Sequence, residues 1–388
     1  MSEAQRPFRF LEPKLYYFFY YAALAALTPY LSVYYRSLGF SGRAIGTLSA
    51  VTTFVGLVSG PVWSAIADRY NKHRLVLGGA ILATTVAGFA ISLVHEFAPM
   101  VFIVAVYAFV HAPVTALADS SVMVVLGDRK DLFSRQRLWG AVGWGLAAPV
   151  IGQLTEQMGL QWGFYAYVVL NLFTLATALN LPSSRPATKA PFWHGIRDLF
   201  RQRAWIVFLG ALFISGLGSH SSSGFLFLHL QDHGGDRSLM GLALAVGSFS
   251  EIIVFFLASR WLARWGARRM LIVAMAVSSL RLLLVSLIQT ASWILPIQLL
   301  HGPSFSLILS AGVTYADSLA LPGFRTTAQS GYGFAGALAG VLGNLLGGFV
   351  YDAAGSAAVF RMGSAGVLLG LLFLALAGRQ SAPAESAI

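Results

Sequence analysis

Polar residues in this chain act as punctuation between apolar runs. Runs of about 20 residues recur near 15–36, 44–67, 75–94, 99–126, 138–155, 162–181, 204–228, 239–259, 270–290, 293–317, 330–350 and 357–377. In hydrocarbon every backbone N–H and C=O must bond within the protein, so only helices and closed barrels cross a bilayer. A run of ~20 apolar residues is the length of a helix spanning ~30 Å of hydrocarbon. Barrel strands would alternate apolar and polar positions instead. The pattern therefore predicts an all-α membrane protein of twelve transmembrane helices. A basic stub precedes the first run, and no small-residue cleavage signature follows it. That run reads as a retained helix rather than a signal peptide.

Composition agrees with this reading and narrows it. Of 388 residues, 57% are hydrophobic and 11% charged, against about 25% charged in soluble domains. The absence of cysteine excludes disulfides and thiolate metal sites. The net charge of +11 does not point to nucleic acid, because the basic residues fall in short loops between the runs. With the N-terminus placed inside, the inner segments carry 21 of the 26 Lys and Arg, and the outer ones carry four, Arg36, Arg43, Arg237 and Arg361. Arg281 remains, inside a run. Such a bias predicts that both termini are cytoplasmic, in a multi-pass protein of a bacterial inner membrane.

The longest loop, 182–203, divides the chain near its middle, and the two sides repeat. "GQLTEQMGLQWGF" places Gly152, Glu156, Gly159 and Phe164; "GFVYDAAGSAAVF" places Gly348, Asp352, Gly355 and Phe360 at an offset of 196. "DRYNKHR" at 68–74 is answered by "ARWGARR" at 263–269, and the "ADS" at Asp119 by the "ADS" at Asp317, at offsets of 195 and 198. One shared offset argues for two six-helix halves, 1–181 and 204–388, joined by a cytoplasmic loop at 182–203. Transporters commonly carry such repeats, with the substrate site between them.

The stretch "GPVWSAIADRYNKHR", with Gly60, Asp68, Arg69 and Arg74, resembles the motif between helices 2 and 3 of the major facilitator superfamily. Twelve spans, a central loop and a degenerate second copy extend the likeness over the whole chain. Asn71 stands where that motif usually has glycine. The resemblance implies a conformational role: an acid capping a helix end and basic residues gripping carboxylates or headgroups. A plain positive-inside anchor is the simpler alternative.

"SRQRLWGAVGWG" at 134–145 carries the most specific signal. If that helix starts near Phe133, Arg137 lies about a turn inside its span and faces Asp119, 18 residues earlier and about 12 Å deep on the preceding antiparallel one. A lone charge in hydrocarbon needs a partner or a wet cavity. Trp144 shares the helix face of Arg137 two turns on. Here the chain resembles the lactose-permease-like proton symporters of oligosaccharides, nucleosides and aromatic acids. The sugar members pair a helix 4 carboxylate with a helix 5 arginine and stack a tryptophan on the sugar. The resemblance assigns substrate binding to Asp119, Arg137 and Trp144, with Asp in place of the usual Glu. A structural Asp–Arg pair is the competing reading, and Asp317, which has no arginine at the matching position, favours it.

The second half has its own ionisable residues within apolar runs: Glu251, Arg281 and His301. The Arg281–His301 spacing resembles that of the same symporters, but Ser304 occupies their acidic position. Glu251 is then the expected proton carrier, with Arg281 as its partner when ionised and His301 as modulator or substrate ligand. A static Glu251–Arg281 pair is the alternative. Tyr20 and His220 are further candidates for the substrate site; Tyr21 and His111 are weaker ones. No G-x4-GK[ST] loop, catalytic triad or metal cluster stands out. The expectation is a monomeric non-enzyme without cofactor or metal, working with protons, membrane lipids and one small solute. The solute would be a sugar, glycoside or nucleoside; an aromatic carboxylate, drug export or a non-transporting receptor or scaffold are the alternatives.

Overall fold

A computed structural model describes residues 10–70, 73–129, 132–182, 199–320 and 324–377. Most of the central loop, together with Asn71 and Lys72, lies outside them. The described chain is nearly all helix. The helices are α1 (Leu11–Leu27), α2 (Leu31–Ser37), α3 (Gly42–Tyr70), α4 (His73–Ala90), α5 (Phe97–Leu126), α6 (Phe133–Met158) and α7 (Gln161–Ala178). They continue with α8 (Arg203–Ser223), α9 (Leu226–Asp232), α10 (Arg237–Trp265), α11 (Ala267–Ser286), α12 (Ile294–Gln298), α13 (His301–Leu319) and α14 (Arg325–Ala377). α14 is broken at Gly355, whose φ of 80° lies in the left-handed region. Joined as α1–α2, α8–α9 and α12–α13, and with α14 counted as two limbs, the helices make the twelve traverses expected.

By length and apolarity alone, seven described helices could cross a membrane, or eight with the bent α12–α13 pair. That count takes α14 once. It omits α1, α6 and α7, and α6 carries charge where a lipid-facing helix would not. The chain forms two compact units, Met1–Phe40 with Val51–Thr188 and Asp236–Phe249, and Ser41–Ala50 with Lys189–Gly235 and Ser250–Ile388. In the first, Tyr16, Tyr17 and Tyr20 of α1 pack with Leu77 and Ile81 of α4, Val114, Ala118 and Val122 of α5, and Ala178 of α7. In the second, α8 lies against α14 through glycines. A Cβ at Gly218 would strike the Gly363 carbonyl, and one at Gly363 the Gly218 carbonyl.

The repeated G-x3-[DE]-x2-G-x4-F now has a physical content, the same in both copies. In the first unit, a Cβ on Gly152 would meet the Arg237 carbonyl, so only glycine lets α6 approach the start of α10. Glu156 Oε2 accepts from the Arg237 backbone N–H at 3.0 Å and from Arg237 Nε at 2.8 Å. In the second unit, a Cβ on Gly348 would meet the Gly42 carbonyl at the start of α3. Asp352 accepts from the backbone N–H of Gly42 at 2.6 Å and of Arg43 at 2.9 Å. Each acid thus satisfies orphan N–H groups at the positive end of a helix dipole. Gly159 and Gly355 turn the chain with φ of 101° and 80°, and Phe164 and Phe360 are buried. Just past its apolar run, Glu156 is held below the ordinary carboxylate range by its hydrogen bonds from Arg237.

Glu156→Ala and Asp352→Ala should each destabilise the protein by about 1 kcal/mol, the usual worth of a helix cap. The sites lie in separate units, so the double variant should show the sum of the two losses. Thermal unfolding in detergent measures this; unchanged melting of both single variants would deny the capping role.

Candidate functional site

The arginine at 137 does not reach for headgroups. From the second turn of α6, Arg137 NH1 donates to Asp119 Oδ2 of α5 at 2.7 Å, and NH2 donates to the Tyr21 hydroxyl of α1 at 2.9 Å. Tyr17 donates to the other carboxylate oxygen, Oδ1, at 2.6 Å. The glycines of "RLWGAVGWG" make this possible. A Cβ on Gly140 would collide with the Tyr21 ring, and one on Gly143 with the Phe18 backbone. α6 therefore lies close enough to α1 for a guanidinium to bridge the tyrosine and the acid. The pair is not sealed: the Arg137 side chain is 40% exposed and that of Asp119 29%. A second polar layer adjoins it on the same helices. The Tyr20 hydroxyl lies 3.0 Å from His111 Nε2 and 2.9 Å from Thr115 Oγ1, and Tyr16 stacks on Tyr20 with ring centres 5.7 Å apart. Trp144 is half-buried two turns beyond Arg137.

The second unit holds a different set. His301 Nε2 lies 2.9 Å from Glu251 Oε1. Arg281, expected on Glu251, instead donates from NH2 to Gln298 Oε1 at 2.7 Å. The 44° bend between α12 and α13 explains the arrangement. It puts His301 at the first position of α13, facing α10, and leaves Gln298 a turn earlier, facing α11. Ser250, beside Glu251, staples the break: its hydroxyl donates to the Leu299 carbonyl and accepts from the Gly302 N–H. A Cβ on Gly302 would run into Ser250, which accounts for the glycine of "HGP". Arg281 Nε and His301 Nδ1 are buried with no partner among the described residues.

The remaining candidates fall apart from these sets. His220 is half-buried on α8, packed on Gly343 of α14. Gly60 lies within α3, Asp68 and Arg69 on its last turn, and Arg74 exposed at the start of α4. The side chains of Asp68 and Arg69 lie outside the described residues. Gly266, the counterpart of Asn71 in the second copy, has a φ of 75°. Asp317 does have an arginine: Arg325 Nε lies 3.6 Å from its Oδ2. The sequence reading passed over Tyr17, Thr115 and Gln298. The first two were legible. Tyr17, Tyr20 and Tyr21 fall at i, i+3 and i+4 on one helix face, and Thr115 sits one turn from both His111 and Asp119. Gln298 gave no signal, because the bend that aims it is not written in the apolar pattern. Among the described residues no group of three or more His, Asp or Glu could hold a metal ion.

Comparison with known proteins identifies the family of the chain. A maltose permease of Geobacillus stearothermophilus is 26% identical over 94% of each chain. A protein described as "Probable 3-phenylpropionic acid transporter" from Escherichia coli is 24% identical over 77% of this chain and 80% of its own. The crystal structure of nucleoside transporter NupG superposes with a TM-score of 0.84 at 16% identity, covering 96% of this chain and 99% of that one. The model of the MFS_1 like family matches residues 10–362, and the chain is a member of that family, a major facilitator transporter and not an enzyme.

Proposed function

We propose that this protein is a proton-coupled importer of a neutral polyhydroxylated solute, a sugar, glycoside or nucleoside, in a bacterial inner membrane. It works as a monomer among membrane lipids, with both termini cytoplasmic as the Lys and Arg distribution favours. Residues 1–181 and 204–388 would rock as alternating halves, and the cytoplasmic motif of Gly60, Asp68, Arg69 and Arg74 would hold the inner side shut. The observation that carries the reading is the half-exposed Arg137–Asp119 pair flanked by Tyr17 and Tyr21. It offers donors and acceptors side by side, the need of a hydroxyl, which both gives and takes a hydrogen bond. Trp144 supplies an aromatic face for the apolar side of a ring.

An aromatic carboxylate is the second reading, favoured by the relative described as a phenylpropionic acid transporter. Arg137 argues for it; Asp119 argues against it, because a carboxylate solute would sit beside a carboxylate already bonded to that arginine. Drug export would use the same pairs with the gradient reversed. A receptor or scaffold has no need of two polar clusters inside its spans.

Proton coupling is assigned to Glu251 with His301. Their contact joins α10 to α13, so protonation of the acid weakens one link between two helices that must move. Arg281, on Gln298, acts through its charge rather than as the bonded partner. His220 and Tyr20 complete the proposed solute contacts.

Asp119→Asn and Arg137→Ala should abolish uptake while the protein still inserts, since each removes one member of the charge-assisted pair proposed to bind the solute. A screen of sugars, nucleosides and aromatic acids by thermal shift on purified protein names the class. A ligand at about 100 times its dissociation constant adds ~2.7 kcal/mol, and stabilisation by aromatic acids alone would refute the neutral-solute reading.

Glu251→Gln imitates the permanently protonated acid. In proteoliposomes it should lose accumulation driven by an imposed pH gradient and keep solute counterflow, which needs no net proton release. Accumulation at the wild-type rate would make Glu251 structural.

A further inference from the structure

A buried histidine that the transport reading does not use lies at the end of α9. His229 is fully buried, and both of its ring nitrogens are engaged. Nε2 lies 2.8 Å from the Val285 carbonyl oxygen in α11, and Nδ1 lies 2.9 Å from Ser356 Oγ in the second limb of α14. Ser356 Oγ in turn lies 2.6 Å from Asp232 Oδ2. Asp232 is exposed, so the chain of contacts runs from solvent to the buried ring.

The hydrogens in this chain can be counted. A carbonyl oxygen only accepts, so Nε2 must carry a hydrogen for Val285. A neutral imidazole has one hydrogen, so Nδ1 is then an acceptor and must receive the Ser356 hydroxyl hydrogen. That hydroxyl has no second hydrogen for Asp232. An ionised carboxylate supplies none, and two oxygens 2.6 Å apart would face each other with lone pairs only. One more proton resolves the conflict. On the ring, it lets Nδ1 donate to Ser356 and Ser356 donate to Asp232. On the carboxyl, it lets Asp232 donate to Ser356 and Ser356 donate to Nδ1. The count is one in either case.

We propose that His229, Ser356 and Asp232 form a one-proton clasp that ties α9 to α11 and α14, closed when the proton is bound and missing one of its three links when it leaves. Among the described residues the other ionisable group against the ring is His233 on the same helix, with ring centres 4.3 Å apart. Its Nδ1 is engaged by the His229 carbonyl. On α14 the charged residues flanking Ser356 are Asp352, bonded to the start of α3, and Arg361, which is exposed. Residues 282–290, the end of α11 and the turn after it, carry no charge. The clasp lies apart from the Glu251–His301 pair and does not depend on that pair carrying protons.

The sign of the pH dependence follows. The folded clasp keeps a proton that the unfolded chain's histidine gives up near its ordinary pKa of about 6.5. Its contribution is therefore complete below that pH and is lost as pH rises through the folded value. Asp232→Asn tests this. The amide donates to Ser356, Ser356 donates to a neutral Nδ1, and Nε2–H still serves Val285, so all three links persist without the extra proton.

Thermal unfolding of the full-length wild type should fall from about pH 6 to about pH 9, across the histidine range. Asp232→Asn should lack that one-proton step and melt above the wild type at the alkaline end. Ser356→Ala and His229→Gln should also lack the step but melt lower than the wild type at acid pH. Superimposable wild-type and Asp232→Asn profiles would overturn the proposal. So would a step of opposite sign, with stability lost towards acid, since that is the behaviour of a buried neutral ring.

Discussion

The polar chemistry of the first unit turns on holding a guanidinium within a bundle of apolar helices. An isolated Arg137 would be too costly there, and the chain answers with the Asp119 carboxylate and the Tyr21 hydroxyl at hydrogen-bond distance. That answer needs three helices within a few ångströms of one another. The glycines at 140 and 143 provide the approach, because any side chain there would meet Tyr21 or the backbone at Phe18. The tyrosines serve twice: their rings fill the core between α1 and α5, and their hydroxyls finish the coordination of the charges. Packing and polar chemistry are here one constraint, so neither can change without the other.

The fold was legible because it rests on the strongest sequence signal available, the length of apolar runs. The repeat was legible too, although its meaning was not. Gly152, Glu156, Gly159 and Phe164 stand out only as a spacing shared with Gly348, Asp352, Gly355 and Phe360. What each position does depends on the start of a helix far away in sequence, α10 for one copy and α3 for the other. The Asp119–Arg137 pair could be read from depth in adjacent spans, since both residues must find partners and few are in reach. Glu251 with Arg281 followed from the same logic and came out differently. The bend at Leu299 and Leu300 redirects His301 and Gln298, and a bend stapled by a serine hydroxyl leaves no trace in hydropathy. His229 was invisible for a related reason: its partners lie 56 and 127 residues away and carry no distinctive spacing.

The two copies of the repeat have kept one thing and divided on another. Both retain the glycine that admits a foreign helix start, the acid that caps it, the glycine that turns and the phenylalanine that seals. These positions answer to backbone geometry, which is the same in both copies. Within the spans the copies differ. The first sets an arginine and an acid among tyrosine hydroxyls, an array of donors and acceptors side by side. The second sets a glutamate against a histidine across the α12–α13 bend. A symmetric machine with identical contents could bind two solutes or carry two protons, but it could not make one depend on the other. Coupling needs unlike sites on a common mechanical frame. The conserved caps and the diverged polar clusters are what duplication followed by division of labour would leave in such a chain.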